Sequence, residues 1–240
     1  MQTSQRTNTK TLGNRNKMTS QRNDIVETIE IFTTKHDPFD RYASYDYCFN
    51  HFHHTNKNCI TDDMEKSCLS LGFYLASWGM FRGSSFLLNK SSQAFVPLIE
   101  YISELDSNAW EIDANNLNDN VEQIIEIYNN IKSLLIPKTN SHLTLTTKIM
   151  LGVFGSVPAY DRFFINSFKE IFKGKCGFSS FNKTSLICIA DFYNENKSTI
   201  ELQSSSLKTI GFNNSAISHA YKRSKVIDMY GFTKGYVGSV

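Results

Sequence analysis

In the stretch TTKIMLGVFGSVPAYD, residues 146–161, a lysine and an aspartate bracket an apolar run: Lys148 near one end, Asp161 at the other. A lysine partly withdrawn from water loses proton affinity and becomes a nucleophilic amine, and a carboxylate opposite it can stabilise developing positive charge. The competing reading is local. A carboxylate in a first helical turn is stabilised by the orphan backbone amides, which accounts for Asp161; a lysine in a first turn opposes the helix dipole and needs another reason. A second cation, Arg82, sits in Trp78-Gly-Met-Phe-Arg82-Gly-Ser-Ser-Phe86. An arginine inside an apolar helix must meet a carboxylate, backbone carbonyls or an anionic ligand, because an unpaired buried charge is too costly. Either a core acid pairs with it, or it marks an anion site to which Ser84 and Ser85 add hydroxyl donors.

Two further groups carry chemistry-bearing types. Cys48-Phe-Asn-His51-Phe-His53-His54, with Cys59 beyond, has zinc-ligand residue types. On a helix Cys48, His51 and His54 fan around the cylinder, and no second ligand pair follows, so no metal site is expected; histidines at a helix C-terminus favour the dipole. The run Tyr42, Tyr45, Tyr47, Phe49 and Phe52 has the rings of a base-stacking platform, and equally those of a core with a wet tyrosine edge.

These residues must be positioned by helices. Asp37-Pro38-Phe39-Asp40 reads as a helix start, with the helix running to about His54. Asp62 and Glu65 read as a capping box before Cys68–Leu88, apolar nearly all round and therefore the expected central buried helix, with Gly72, Gly79 and Gly83 allowing close approach. Val96, Ile99, Ile102 and Leu105, and then Val121, Ile124, Ile125, Tyr128, Ile131 and Leu135, recur at helical spacing. Leu145–Phe154 and Ala159–Phe172 form a pair broken at Gly155-Ser-Val-Pro158. Helices over Thr184–Asn196 and near His219–Tyr230 complete the expectation, with at most a short hairpin within Lys173–Ser185. The predicted class is all-α: a basic, disordered tail over 1–22 and a single compact multi-helix domain over 23–240.

Composition bounds the partners. Residues 1–22 carry Arg6, Lys10, Arg15, Lys17 and Arg22 and no acid; the remaining chain has 20 basic against 23 acidic residues. A basic arm can touch phosphates, but the body has no bulk signature of a nucleic-acid binder. The longest apolar stretch, Cys68–Phe81, is too short to span a bilayer, so no membrane association is expected. No apolar segment follows the basic N-terminal residues, and five irregularly spaced cysteines read as reduced thiols. Both features fit a cytoplasmic chain without a secretory leader. No cofactor motif occurs.

TTK…SVPAYD resembles the lysine-to-aspartate segment of the helix-hairpin-helix DNA glycosylases, especially the oxoguanine branch, over about 20 residues and within a compatible all-α layout. There a Thr-Lys opens one helix and a Val-Pro-x-Asp opens the next. The resemblance implies DNA as partner and base excision as activity. Lys148 would attack the deoxyribose anomeric carbon and form a Schiff base, and Asp161 would face the positive charge developing on the sugar. The extruded base would lie in a pocket walled by Phe73, Tyr74 or Trp78, with Arg82 as a further substrate contact. The chain departs from the family in carrying His142-Leu-Thr-Leu-Thr-Thr147 where the phosphate-gripping hairpin stands, a shorter Lys–Asp spacing and a longer Pro–Asp spacing.

More broadly, LGFYLASWGMFRGSSFLL, TKIMLGVFGSVPAYDRFF and YKRSKVIDMYGFTKGY resemble an uncharacterised group of bacterial hypothetical proteins. This implies that the three segments form one unit, with Arg82, Lys148, Asp161, Arg162 and Asp228 as its charged members. Two functions of different class follow. One is a base-excising enzyme or degenerate relative using Lys148 and Asp161. The other is a non-catalytic helical binding or interaction protein whose internal charges are structural, Arg82 pairing with Asp161 or Asp228. Geometry separates them: the first needs Lys148 and Asp161 within reach on one cavity, the second puts Lys148 on plain surface and Asp161 in a cap or on Arg82.

Overall fold

The structure, a computed structural model, describes residues 21–54, 60–138, 141–212 and 218–239. Helices α1 (21–33), α2 (Ala43–His54), α3 (Met64–Ser77) and α4 (Val96–Glu104) form the first part of the chain. There follow α5 (Ser107–Glu111), α6 (Val121–Leu135), α7 (Leu143–Phe154) and α8 (Arg162–Ile171), then α9 (Lys183–Glu195), α10 (Lys197–Ser206) and α11 (Arg223–Val237). The fold is all-α: among the described residues no strand forms, and one antiparallel bridge joins Lys208 to Ala220. The segment 173–182, where at most a short strand or hairpin was expected, is a loop. The tail expected over 1–22 lies almost entirely outside the described residues. No described helix is long and apolar enough to cross a membrane.

One hydrophobic cluster runs from Ile25 to Phe232. Its centre is α7, where every residue from Leu145 to Phe154 is buried. Leu, Ile, Met, Val and Phe cover most of the cylinder, and Thr146, Thr147 and Lys148 are buried along with them. The expected centre, Cys68–Leu88, is not one helix. Met80 N–H donates to the Leu75 carbonyl at 2.8 Å and Gly79 N–H to Ala76 at 2.9 Å, with Gly79 at φ 78°. That pair of bonds around a left-handed glycine is a Schellman stop. It ends α3 despite the apolar run, and turns and a 3-10 turn (Phe86–Asn89) follow. Leu69 and Phe73 on the outer face of α3 are exposed, so this helix is not buried all round.

Other ends shift for identifiable reasons. The Asp37 and Asp40 carboxylates accept the N–H groups of Phe39 and Tyr42, at 2.8 and 3.2 Å. Such side-chain turns compete with a helix, so α2 begins at Ala43 rather than at Pro38. The N-cap of α3 is Asp63, accepting from Lys66 N–H, and not Asp62. The last helix starts at Arg223, where Asp113 caps it from a distant loop by accepting Arg223 and Ser224 N–H at 2.9 and 2.7 Å. It then continues past Tyr230 to Val237.

Helix α11 lies so close to α8 that a Cβ at Gly235 would stand 2.0 Å from the Phe163 carbonyl oxygen. Helix α1, which the sequence reading did not assign, buries Ile25, Ile29 and Phe32 at i, i+4, i+7 spacing. It is tied to α11 through Asp24, which accepts from the Tyr230 hydroxyl at 2.6 Å and pairs with Lys234.

Candidate functional site

Lys148 stands in the second turn of α7 rather than the first, and is 4 % exposed. Thr144, Thr147 and Lys148 share one face of the helix because steps of three and four residues realign on the cylinder. Thr144 Oγ1 donates to the Tyr160 carbonyl at 2.8 Å, and Tyr160 N–H donates to Thr147 Oγ1 at 2.9 Å. One residue earlier, Ala159 N–H donates to Asp228 Oδ1 at 3.0 Å, and Ser224 Oγ donates to the Ser156 carbonyl at 2.8 Å. The loop from Gly155 to Tyr160 is buried throughout. Its backbone polar groups need partners, and side chains of α7 and α11 supply several of them. The register of Asp161 against Lys148 is thereby set by the two residues before it.

Asp161 is the N-cap of α8, its Oδ1 accepting Phe163 and Phe164 N–H at 3.0 Å each. The second oxygen lies 3.3 Å from Lys148 Nζ. Lys148 Nζ also sits 5.1 Å above the Trp78 ring, a distance at which an ammonium is attracted to the indole face. Amine and carboxylate therefore meet at the floor of a cavity of about 580 Å³, a volume typical of small-ligand sites. Arg41, Arg82 and Arg162 stand around it with Trp78, and Phe163, Phe232 and Tyr236 complete its apolar wall.

Beneath this floor lies a second pair, Lys225–Asp228, at 3.0 Å. Lys225 is 2 % exposed and caged by rings, its Nζ lying 4.3 Å from the centre of Tyr45, 5.0 Å from Phe32 and 5.8 Å from Trp78. Trp78 thus separates two lysine–aspartate pairs, and both pairs border a void beside it too small for a ligand.

Of the residues singled out in the sequence, Lys148, Asp161, Trp78 and Arg82 come together on the cavity. Arg82 is not inside a buried helix, and it pairs with neither Asp161 nor Asp228: it is exposed, beyond the Schellman stop, and those acids take Lys148 and Lys225. Tyr74 and Phe73 do not line the cavity. Tyr74 is buried below it against Gly152, and Phe73 faces solvent on the far side of α3. Tyr42, Tyr45, Phe49 and Phe52 belong to the core, and Tyr47 donates its hydroxyl to the Pro38 carbonyl.

The histidine group near the end of α2 is apolar in its surroundings. His53 stacks on Phe49 at 3.9 Å, and burial, with Lys222 and His219 nearby, pushes its pKa down to about 3. His51 meets Ser67 Oγ at 2.8 Å, and burial raises the Cys48 thiol. Cys59 lies outside the described residues. Among the described residues no three His, Cys, Asp or Glu side chains gather as a metal set.

Sequence reasoning missed Thr144, Arg41, Tyr236 and Lys225. The first had a legible signal, its spacing from Thr147 and Lys148 on one helical face. Lys225 stood at i,i+3 from Asp228, an ordinary surface spacing in a helix whose polar composition gave no hint of burial. Arg41 and Tyr236 reach the cavity only through tertiary packing. Comparison of the chain with protein-family models, with curated proteins and with solved structures finds no match.

Proposed function

We propose that the cavity is a catalytic centre in which Lys148 acts as an amine nucleophile on the sugar of a nucleic-acid strand at a lost or damaged base, with Asp161 as its carboxylate partner. The single observation carrying this reading is the meeting of a buried amine and a carboxylate, 3.3 Å apart, on one nucleotide-sized cavity. In the chemistry proposed, Asp161 Oδ2 takes the proton that the ammonium must lose before attack. At a lost base the free amine then adds to C1′ of the open-chain deoxyribose aldehyde, and the carbinolamine loses water. At a damaged base it displaces the base from C1′, the C1′–N bond breaking as the base takes a proton from Asp161. The sugar ring then opens at O4′, which takes the second amine proton. Both routes end in an imine between Nζ and C1′. Phe163, Phe232 and Tyr236 give an extruded base an apolar wall. With this reading goes a cytoplasmic location, in keeping with free thiols at Cys48, Cys68, Cys176 and Cys188.

Borohydride reduction of an imine leaves a permanent one-to-one adduct. The full chain incubated with an abasic-site oligonucleotide and borohydride is expected to gain the mass of one strand, and Lys148→Ala to gain none while keeping its helical circular dichroism. Absence of adduct with the native chain, or an undiminished adduct in Lys148→Ala, defeats the reading.

A second reading has its own observation: both oxygens of Asp161 are already engaged, one on the α8 amides and one on Lys148. On that reading the pair fastens α8 to α7, and the cavity binds a ligand without covalent chemistry. Saturable ligand binding with no trapped adduct distinguishes it.

A further inference from the structure

The floor of the cavity has a carboxylate for its cation; the rim has none. Four cationic side chains, Arg41, Arg82, Lys148 and Arg162, line one cavity against the single carboxylate of Asp161. Lys148 is paired with that carboxylate, whereas among the described residues no acid stands within ion-pair distance of Arg41, Arg82 or Arg162. Scarcity of acids does not explain this, because beyond residue 22 the chain has more acidic than basic residues. Like charges gathered without counter-ions repel one another, a cost that an anionic ligand removes.

Each arginine is also braced. The Arg41 guanidinium lies 5.6 Å from the Tyr42 ring centre and 5.5 Å from that of Trp78, and Arg162 lies 4.4 Å from Phe163. Arg82 folds back over Gly79, where a Cβ would come within 2.7 Å of its Nε. The glycine that stops α3 is therefore also what lets the Arg82 side chain lie along the rim. A braced guanidinium loses less freedom on binding, and its fork matches two oxygens of a phosphate.

We infer that the cavity takes its ligand by a phosphate ester, gripped at the rim by Arg41, Arg82 and Arg162, with the rest of the ligand along the apolar wall of Phe163, Phe232 and Tyr236. The inference rests on the proposed function only in taking the cavity as the ligand site; it does not require Lys148 to react. The chemistry fits a nucleotide, whether free or a unit of a single strand.

The test is calorimetric titration of the full chain with four probes: a nucleoside 5′-monophosphate, the same nucleoside without phosphate, inorganic phosphate, and a short single-stranded oligonucleotide. The monophosphate is expected to bind at least about tenfold more tightly than the nucleoside, with affinity falling as salt rises. Inorganic phosphate should compete with it. Arg82→Gln and Arg162→Gln, both exposed positions that preserve the fold, should each weaken the monophosphate about tenfold and leave the nucleoside unchanged. An oligonucleotide binding more tightly than the monophosphate, and equally sensitive to both variants, identifies the source as a strand; a weaker one identifies a free nucleotide. Equal affinity for nucleoside and monophosphate, or arginine variants with unchanged affinity, overturns the inference. The two ideas fail separately. Phosphate-dependent binding by a chain that forms no borohydride adduct removes only the catalytic reading, whereas adduct formation indifferent to the arginine variants removes only the phosphate subsite.

Discussion

Two lysine–aspartate pairs flank Trp78, and their surroundings differ in one respect. Lys148–Asp161 borders a cavity of about 580 Å³, and Lys225–Asp228 is sealed beneath it among Tyr45, Phe32 and Trp78. Both lysines are buried, and both aspartates also accept backbone N–H groups: Asp161 from Phe163 and Phe164, Asp228 from Ala159. The same chemical pair thus occurs once on a ligand-sized cavity and once beside a void too small for a ligand. The lower pair organises the loop that delivers the upper one. Access, not residue type, separates a candidate site from a structural ion pair.

If that contrast holds, the sealed pair should be the more costly to break. Asp228→Leu leaves the Lys225 ammonium without a counter-ion and Ala159 without an acceptor, and should lower unfolding free energy by about 3–5 kcal/mol. Chemical denaturation measures it. Lys225→Leu combined with Asp228→Asn, which removes both charges and keeps an acceptor for Ala159, should recover most of the loss, since an apolar replacement of a buried pair is often near neutral. A double variant as unstable as Asp228→Leu would show that the pair does more than satisfy its own charges.

The upper pair should prove cheaper. In Asp161→Ala the Lys148 amine can draw water from the cavity, so the loss is chiefly that of a helix cap, about 1–2 kcal/mol. Asp161→Asn keeps the cap and should cost less again. A loss in Asp161→Ala matching that in Asp228→Leu would erase the distinction between the two pairs.

What the sequence disclosed follows the same division. Lys148 and Asp161 stood out because opposite charges bracketed an apolar run. Local pattern found α7 and α8, although α8 starts at Arg162 rather than Ala159 and a buried loop stands where a tight turn was expected. The centre of the fold was misassigned because apolar residues continue through Cys68–Leu88, while the helix itself stops at the left-handed Gly79. Lys225 was invisible: α11 is polar in composition, and its burial comes from Gly231 and Gly235 admitting α8, a tertiary fact without helical periodicity. Arg82 was read as needing an anion because a buried helix was expected around it. It is exposed beyond the end of α3, so that reason does not apply, and the acids assumed for it take Lys148 and Lys225.

Gly79 joins the stop of α3 to the rim of the cavity, so replacing it should affect stability and binding together. At φ 78° an alanine is strained, and its Cβ displaces the Arg82 side chain. Gly79→Ala should cost about 1 kcal/mol in denaturation, with a parallel loss of phosphate affinity. Unchanged phosphate affinity in a destabilised Gly79→Ala would mean that Arg82 does not need its folded-back position.

The smallest effect concerns acid. Sensitivity near neutrality should arise at His53. Burial holds this ring neutral, with its pKa lowered to about 3, whereas in the unfolded chain it titrates near 6.5. As the folded pKa is the lower one, the unfolded state binds the extra proton. The contribution to stability is complete above about pH 6.5 and drains away as pH falls from there toward 3. Between pH 7 and pH 6 the loss from His53 alone is about 0.7 kcal/mol. Burial shifts His51, His142 and His219 in the same direction, so the native chain should lose more than this and His53→Phe should lose less than the native chain. Denaturation at the two pH values should show that smaller loss in His53→Phe, and a loss as large as that of the native chain would take His53 out of the account.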